Sequence, residues 1–305
     1  MSSKRGVGAR LCRRLTVAAV LGLTVLAVPD GDVAPTTSAL VKVERAQGID
    51  LSPQVVWILA LGSDARMGQD VLRSRADAIQ LVGIDTRTGA ATAIGVARDS
   101  WVAIPGHGSN RINAALFYGG PQLMAETMKG LTGIEPDYVM VSSFWGLRHM
   151  VDAIGGITVD SEFAFSDPYL RPEGYRVGKN KLEGYGALHF ARIRKSLPRG
   201  DFDRSANQQE VIAAIQRKVA ANADRPGFLD TGVLSVLKNM DAQVRPAELF
   251  RLARAVAAVD PGKVTGCVLT GSFANVGGAS VVMPDTALAK RWGDDARKDA
   301  RIERC

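Results

Sequence analysis

The stretch Ala191–Gln209, ARIRKSLPRGDFDRSANQQ, sets Arg192, Arg194, Lys195, Arg199 and Arg204 against Asp201 and Asp203, with a turn at Gly200. Val211, Ile212, Ile215 and Val219 then recur at helical spacing. In an extended segment around Ile193, Arg192 and Arg194 point to one side, because strand side chains alternate. With Asp201 or Asp203 capping the helix that follows, Arg204 and Gln208 share a face one turn apart. The stretch can thus bring three guanidiniums, a carboxylate and an amide to one place. Guanidiniums so arranged grip phosphate or carboxylate oxygens in pairs. The plainer alternative is a solvated basic loop ahead of a surface helix, and this stretch alone leaves both open.

Two further segments carry the same chemistry. In LGSDAR, Asp64 and Arg66 follow an apolar run, and in RADA, Arg75 and Asp77 precede the next one. Strand ends at one edge of a sheet are where α/β proteins place ligands. Two carboxylates there, close to arginines, suit a divalent cation that bridges phosphate oxygens; turn-forming aspartates are the alternative. Arg98–Asp99 follows a third apolar run, making Arg98 an anion ligand or a partner of Asp99. His107, His149 and His189 fit no catalytic spacing, and no HExxH, GxSxG or Walker A pattern is present. Serine hydrolases and P-loop enzymes are poorly supported.

The elements that must position these residues are short strands interleaved with helices. Val55–Leu61, Ala78–Ile84 and Ala91–Val96 read as strands, the last two joined by a turn over Asp85–Gly89. Trp101–Ile104 is a short strand, Pro121–Leu131 a helix and Tyr138–Val141 a strand. Ser142 or Ser143 caps a helix running to Ile154, and Ile157–Val159 follows as a strand. Residues 161–180, rich in Pro, Gly and Tyr and without period, read as a long loop bordering a site. Helices are expected at Leu182–Phe190, Arg204–Ala221 and Arg245–Val259, and strands near Val264–Leu269 and Ser280–Met283. A charged helix closes the chain. The interleaving points to one α/β domain over residues 54–305.

The chain of 305 residues is 46% hydrophobic and 23% charged, ordinary globular material. A net charge of +7 implies an anionic partner. Basic strands interleaved with aromatics are missing, as is a helix-turn-helix pattern, which argues against nucleic acid. Residues 1–29 pair a basic start with the uncharged run Leu15–Pro29. That pattern reads as a signal-anchor, or a cleaved signal, and places the domain outside the cell membrane. Residues 30–53 read as a linker. Cys12 lies in the signal, so Cys267 and Cys305 remain in the exported part and read as a disulfide.

Taken together, LGSDAR, RADAIQLVGID, ARDSWVAIPGHG, RINAALFYGG, YVMVSSFWGL, VDAIGGITV, LEGYGALHFARIR and GDFDRSANQQ resemble successive blocks of the LytR–CpsA–Psr family, in order, over roughly Val55 to Val219. The resemblance implies a three-layer α/β/α domain with a mixed central sheet and an apolar lipid pocket, held at the membrane by its N-terminus. It implies that Asp64 and Asp77 coordinate Mg²⁺, and that Arg75, Arg98, Arg192, Arg194 and Arg204 grip a pyrophosphate. Asp201 and Gln208 match the acid and amide of the last block. Ala97 stands where the family usually has proline, Asn207 where it has arginine, and Ala76 and Ala78 where it has Ser and Thr.

The expected function is Mg²⁺-dependent transfer of an anionic or secondary cell-wall glycopolymer from a polyprenyl-pyrophosphate carrier to peptidoglycan, by a monomeric protein. Asp201 is the candidate base; Arg98, Arg192 and Arg194 would absorb the charge of the leaving phosphate. Two alternatives stand beside it: a non-catalytic polyprenyl-phosphate- or polymer-binding protein, and a lipid pyrophosphatase.

Overall fold

The computed structural model describes residues 37–46, 48–49 and 54–305, the side chains of 235–239 excepted. The expected signal-anchor at 1–29 lies outside these residues. Among the described residues no helix is long and apolar enough to cross a membrane.

The first half of the chain builds β1 (Ser38–Lys42), β2 (Val55–Ser63), β3 (Ala76–Asp85), β4 (Ala91–Val96), β5 (Trp101–Ile104), β6 (Gly108–Arg111), α1 (Ala114–Thr132), β7 (Tyr138–Ser143) and α2 (Phe144–Ala153). Small pairings follow: β8 (Ile157–Ser161), β9 (Phe165–Asp167), β10 (Arg171–Tyr175) and β11 (Gly178–Leu182). Then come α3 (Gly184–Phe190), α4 (Asp201–Ala220), α5 (Phe228–Asn239), β12 (Asp241–Gln243) and α6 (Pro246–Ala257). The chain closes with β13 (Val264–Leu269), β14 (Gly271–Val276), β15 (Ala279–Pro284) and α7 (Thr286–Ala296).

Seven strands form a mixed sheet in the order β12-β1-β7-β2-β3-β4-β13. The β2 strand runs antiparallel to β3 and parallel to β7, and β4 runs antiparallel to β3 and parallel to β13. Because strand side chains alternate, a strand covered on both faces is apolar throughout. VVWILALGS shows the rule. Val55, Trp57, Leu59 and Leu61 meet Leu116, Met124 and Met128 of α1 and Ala289 and Trp292 of α7. Val56 turns the other way, toward Leu249 and Leu252 of α6. The result is three layers, helices on both sides of the sheet.

Several expectations need correction. Ser38–Lys42, inside the expected linker, is a sheet strand paired with β7 and β12. Only five residues long, it carries too short a pattern to stand out, yet Ala39 and Leu40 are buried in different clusters on the two faces. The expected loop at 161–180 contains β9, β10 and the start of β11. Those strands are polar along most of their length and are held by Phe165 and Tyr175, which pack on Phe190. The α1 helix begins before the expected Pro121, crossing a kink at Gly120 (φ 67°). Leu182 ends β11 instead of starting a helix, and β14 pairs with β15 as a hairpin.

The disulfide joins Cys267, buried in β13, to Cys305, with their Cα atoms 5.2 Å apart. Nearby, the Trp292 indole N–H donates to the Arg304 carbonyl (2.9 Å), a second tie on the C-terminal segment.

Candidate active site

The strand directions place the C-terminal ends of β2, β4, β7 and β13 at one edge of the sheet, together with the start of the antiparallel β3. Asp64, Asp77 and Arg98 all fall at that edge, as does Ser143, whose Oγ accepts from Gly146 N–H and caps α2. Asp77 has a special position. The register runs Gly62↔Ala78 and then Ser63↔Ala76, so Asp77 is the extra residue of a β-bulge. Bulges re-aim a side chain and recur beside active sites. Here the bulged carboxylate meets Arg98, Oδ1 to Nη1 at 2.7 Å.

The second half of the site comes from α4. Its first turn holds Asp201, whose Oδ1 lies 2.7 Å from Arg204 Nη2 and 3.4 Å from Arg194 Nη1. The side chains of Arg204 and Asp201 are only 8% and 11% exposed. Burial pulls the Arg204 guanidinium below its ordinary pKa, although Asp201 opposes this, and Arg98 and Arg194 add repulsion. An arginine stays charged regardless. Burial also works against Arg98, yet Asp77, with Asp99 and Asp201 beyond it, raises its pKa overall. Arg98, Arg194 and Arg204 therefore share one electrostatic site with Asp77, Asp99 and Asp201.

Contacts made by uncharged groups dock α4 on the sheet. A Cβ on Gly95 would come within 2.5 Å of Ser205 Oγ, so only glycine lets the helix approach this closely. Gln80 Nε2 donates to Ser205 Oγ (3.0 Å) and to the Ser205 carbonyl (3.2 Å). Gln209 Nε2 bridges the carbonyls of Ala93 and Cys267, at 3.2 and 2.8 Å. These residues were not singled out by motif. The polar Gln80 inside the apolar strand AIQLVGI is the sequence signal that marks the docking.

The structure brings together Asp77, Arg98, Arg194, Asp201 and Arg204. Other expected residues stand elsewhere. Asp64, exposed, accepts from Arg75 N–H (3.0 Å) at the neighbouring β2–β3 junction, which leaves the Arg75 side chain at the surface. Arg192 rests on Phe144, its guanidinium carbon 4.2 Å from the ring centroid. Gln208 is buried, donating to the Ala191 carbonyl (3.2 Å) and accepting from Gln80 (3.4 Å), so its amide serves packing. Asn207, also buried, donates to the Phe190 carbonyl (3.4 Å). Neither Asp201 nor Asp203 caps α4; the N-cap is Gly200, at φ 56°. Asp203 instead accepts from Arg199, both the backbone N–H and Nε at 2.7 Å, closing the loop ahead of the helix.

Asp99, the alternative partner expected for Arg98, lies 3.7 Å from Arg98 Nε and also 3.4 Å from Arg111 Nε. Both Nε atoms are buried donors lacking a hydrogen-bond acceptor, and a buried orphan donor suits an anion.

For a metal, the donors at this edge are the two carboxylates Asp64 and Asp77. Among the described residues no group of three or more His, Cys, Asp or Glu is placed to hold a cation. Two hard oxygen donors fit a Mg²⁺ that completes its shell with water and phosphate, and fit no all-protein cage.

This arrangement can be set beside known proteins. The chain is 31% identical over 251 residues to the probable cell wall biosynthesis protein LcpB of Corynebacterium glutamicum, covering 77% of this chain and 59% of that protein. It is 35% identical over 166 residues to the polyisoprenyl-teichoic acid–peptidoglycan teichoic acid transferase TagU of Bacillus subtilis, covering 53% of this chain and 52% of that one. The chain thus spans little more than half the length of these relatives. In fold it is similar to the crystal structure of B. subtilis TagV, with TM-score 0.70 and 24% identity over 82% of this chain and 98% of that chain. It is also similar to TagT with bound octaprenyl pyrophosphate, with TM-score 0.64 and 22% identity over 86% of this chain and 96% of that chain. The model of the LytR_cpsA_psr family matches residues 34–297, and the chain belongs to that family.

Proposed function

We propose that the protein transfers a glycopolymer from a polyprenyl-pyrophosphate carrier to peptidoglycan, outside the membrane that its N-terminal segment would anchor it to. The observation that carries this reading is the convergence of Arg98, Arg194 and Arg204 on Asp201 and Asp77 at one sheet edge. Guanidiniums gathered this way, one buried and two partly open to solvent, are suited to a pyrophosphate. A relative named for polyisoprenyl-teichoic acid transfer and a neighbour holding octaprenyl pyrophosphate support the same substrate class.

The chemistry follows from the residues. An acceptor hydroxyl of peptidoglycan attacks the phosphorus that carries the polymer. The new O–P bond forms, the bridging P–O bond to the lipid phosphate breaks, and polyprenyl monophosphate leaves. Asp201 takes the hydroxyl proton through the carboxylate whose Oδ1 already holds Arg194 and Arg204. The arginines orient the pyrophosphate and stabilise the charge that grows on the leaving oxygen. Asp64 and Asp77 would hold Mg²⁺, which when bound supplies Lewis-acid stabilisation of phosphate oxygens.

The test is incubation of the full chain with a lipid-linked glycan, a peptidoglycan fragment and Mg²⁺, with mass analysis of the products. A glycan–peptidoglycan adduct plus polyprenyl monophosphate supports the transferase. Glycan phosphate released to water replaces it with a lipid pyrophosphatase, and unaltered substrates replace it with a binding protein.

A further inference from the structure

Next to the charged cluster, α2 and α3 present a second constellation. Trp145 is 40% exposed and Tyr185 55% exposed, and the two rings flank one guanidinium. Both are held in place. The Arg148 guanidinium sits between them, 5.4 Å from the Trp145 ring centroid and 5.2 Å from that of Tyr185. His189 packs edge-to-face on Tyr185, with centroids 4.6 Å apart. Asp152 fixes the frame: its Oδ1 accepts from Gly184 N–H at the start of α3 (2.7 Å), and its Oδ2 lies 3.7 Å from Arg148 Nε. The rings are thus oriented by neighbours and do not depend on burial.

This platform is continuous with the charged site. Phe144, beside Trp145 in α2, carries the Arg192 guanidinium, and Arg192 follows α3 two turns after Tyr185. Arg192 stands two residues before Arg194, whose guanidinium meets Asp201, so a path leads from the charged cluster through Arg192 and Phe144 to two exposed rings with Arg148 and Asp152 between and beside them.

We propose that Trp145, Tyr185, Arg148 and Asp152 form a saccharide-binding platform for pyranose units engaged at the charged site. The inference rests on the transferase reading and deepens it. The chemistry points to sugars in three ways. In a glycosyl pyrophosphate the first sugar is bonded directly to the phosphate, so a sugar must lie within a few ångströms of the arginines. A pyranose has an apolar C–H face that stacks on an exposed aromatic ring, and equatorial hydroxyls that suit a guanidinium and a carboxylate. Two rings bridged by one guanidinium suit consecutive units of a chain. Donor polymer and acceptor glycan strand share this chemistry, and the experiment separates them.

The test uses the full chain and four probes. They are a lipid-free peptidoglycan glycan strand of alternating N-acetylglucosamine and N-acetylmuramic acid, a polyprenyl-pyrophosphate-linked glycan, sugar-free polyprenyl pyrophosphate, and phosphatidylglycerol vesicles. Trp57 and Trp292 are buried and Trp101 is half-buried beside the charged site, so only the part of the ligand-dependent emission that disappears in Trp145→Phe reports on the platform. The double variant Trp145→Ala, Tyr185→Ala should weaken binding of a sugar-bearing probe about tenfold or more, and leave sugar-free polyprenyl pyrophosphate within twofold. Loss against the glycan strand assigns the acceptor; loss against the lipid-linked glycan alone assigns the donor. Trp145→Phe with Tyr185→Phe should restore binding, and an unchanged Tm shows that the fold is intact. Unchanged affinity for both sugar probes, or a loss confined to the vesicles, overturns the platform. If the wild-type chain binds no polyprenyl pyrophosphate at all, the transferase reading fails separately, while the glycan-strand arm still reads the platform.

Discussion

Asp77→Asn separates the two partners that Asp77 is asked to serve. Without ligand its carboxylate is bonded to Arg98 at 2.7 Å, both side chains 23% exposed. For Arg98 to grip a phosphate, this pair has to be exchanged: Asp77 to the metal, Arg98 to the phosphate. With charge centres about 4 Å apart and an effective dielectric near 20, the bare attraction is about 4 kcal/mol. Lost hydration and side-chain ordering reduce the net value of such a charged hydrogen bond to about 1.5–3 kcal/mol. Asparagine keeps the shape and removes the charge, so roughly half of that, about 0.75–1.5 kcal/mol, is returned to the ligand. In EDTA the variant should therefore bind a short-chain polyprenyl pyrophosphate about three- to tenfold more tightly than wild type. With Mg²⁺ the order should reverse, because an amide is a poorer ligand for a hard cation. Calorimetric titration of both proteins in both buffers reads the four numbers. Weaker binding by the variant in EDTA would show that Asp77 does not restrain Arg98. An undiminished Mg²⁺ enhancement would remove Asp77 from the metal site.

Further outcomes follow from the same geometry. Arg98→Lys and Arg194→Lys should each cost about 1.5–3 kcal/mol of polyprenyl-pyrophosphate affinity, since an ammonium cannot reproduce the guanidinium fork; wild-type titration curves would reduce these residues to a basic surface. Away from the site, Glu248 is buried and accepts from Lys42 Nζ (2.9 Å) and from the Tyr138 hydroxyl. Burial alone would raise its pKa, but these partners hold it below the ordinary 4.5. A depressed folded-state pKa stabilises the fold above about pH 4.5, with the gain lost as pH falls through the folded value. Glu248→Gln should flatten that acid limb of a urea-midpoint profile and cost about 1–3 kcal/mol at pH 7, where Lys42 loses its partner. Cys305→Ser opens a loop with a sequence separation of 38 residues and should cost about 3.5–4.5 kcal/mol in the chain-entropy model. An unchanged unfolding midpoint would show that the tail docks without its bond.

The parts of the fold that could be read from the sequence are those where one physical demand dominates. The strands β2, β3 and β4 are covered on both faces, and continuous apolar runs announce that. The β1 strand fails as a signal because five residues cannot display a period, and its place depends on β7 and β12, one of them some 200 residues away in sequence. The strands β9, β10 and β11 fail for a different reason. Their residues are mostly polar and partly or fully exposed, and what orders them is a tertiary cluster of Phe165, Tyr175 and Phe190 that no local window contains.

In the site, charge was legible and amides were not. A guanidinium buried without a counterion is costly, so Arg204, eight per cent exposed, can sit where it does only with an acid beside it, and Asp201 is three residues away on the same helix. An amide carries no such constraint. Asn207, Gln208 and Gln209 can each serve a ligand or a backbone carbonyl, and all three serve carbonyls, of Phe190, Ala191, and Ala93 with Cys267. The departure at Asn207, where the family resemblance would have an arginine, follows the same logic. That side chain bonds a buried carbonyl of α3, so the asparagine removes no member of the Asp201 ion-pair cluster. The arginines on which the proposed chemistry depends, Arg98, Arg194 and Arg204, are all present and paired. The charge missing at position 207 therefore gives no structural ground for reading the chain as a transferase that has lost its activity.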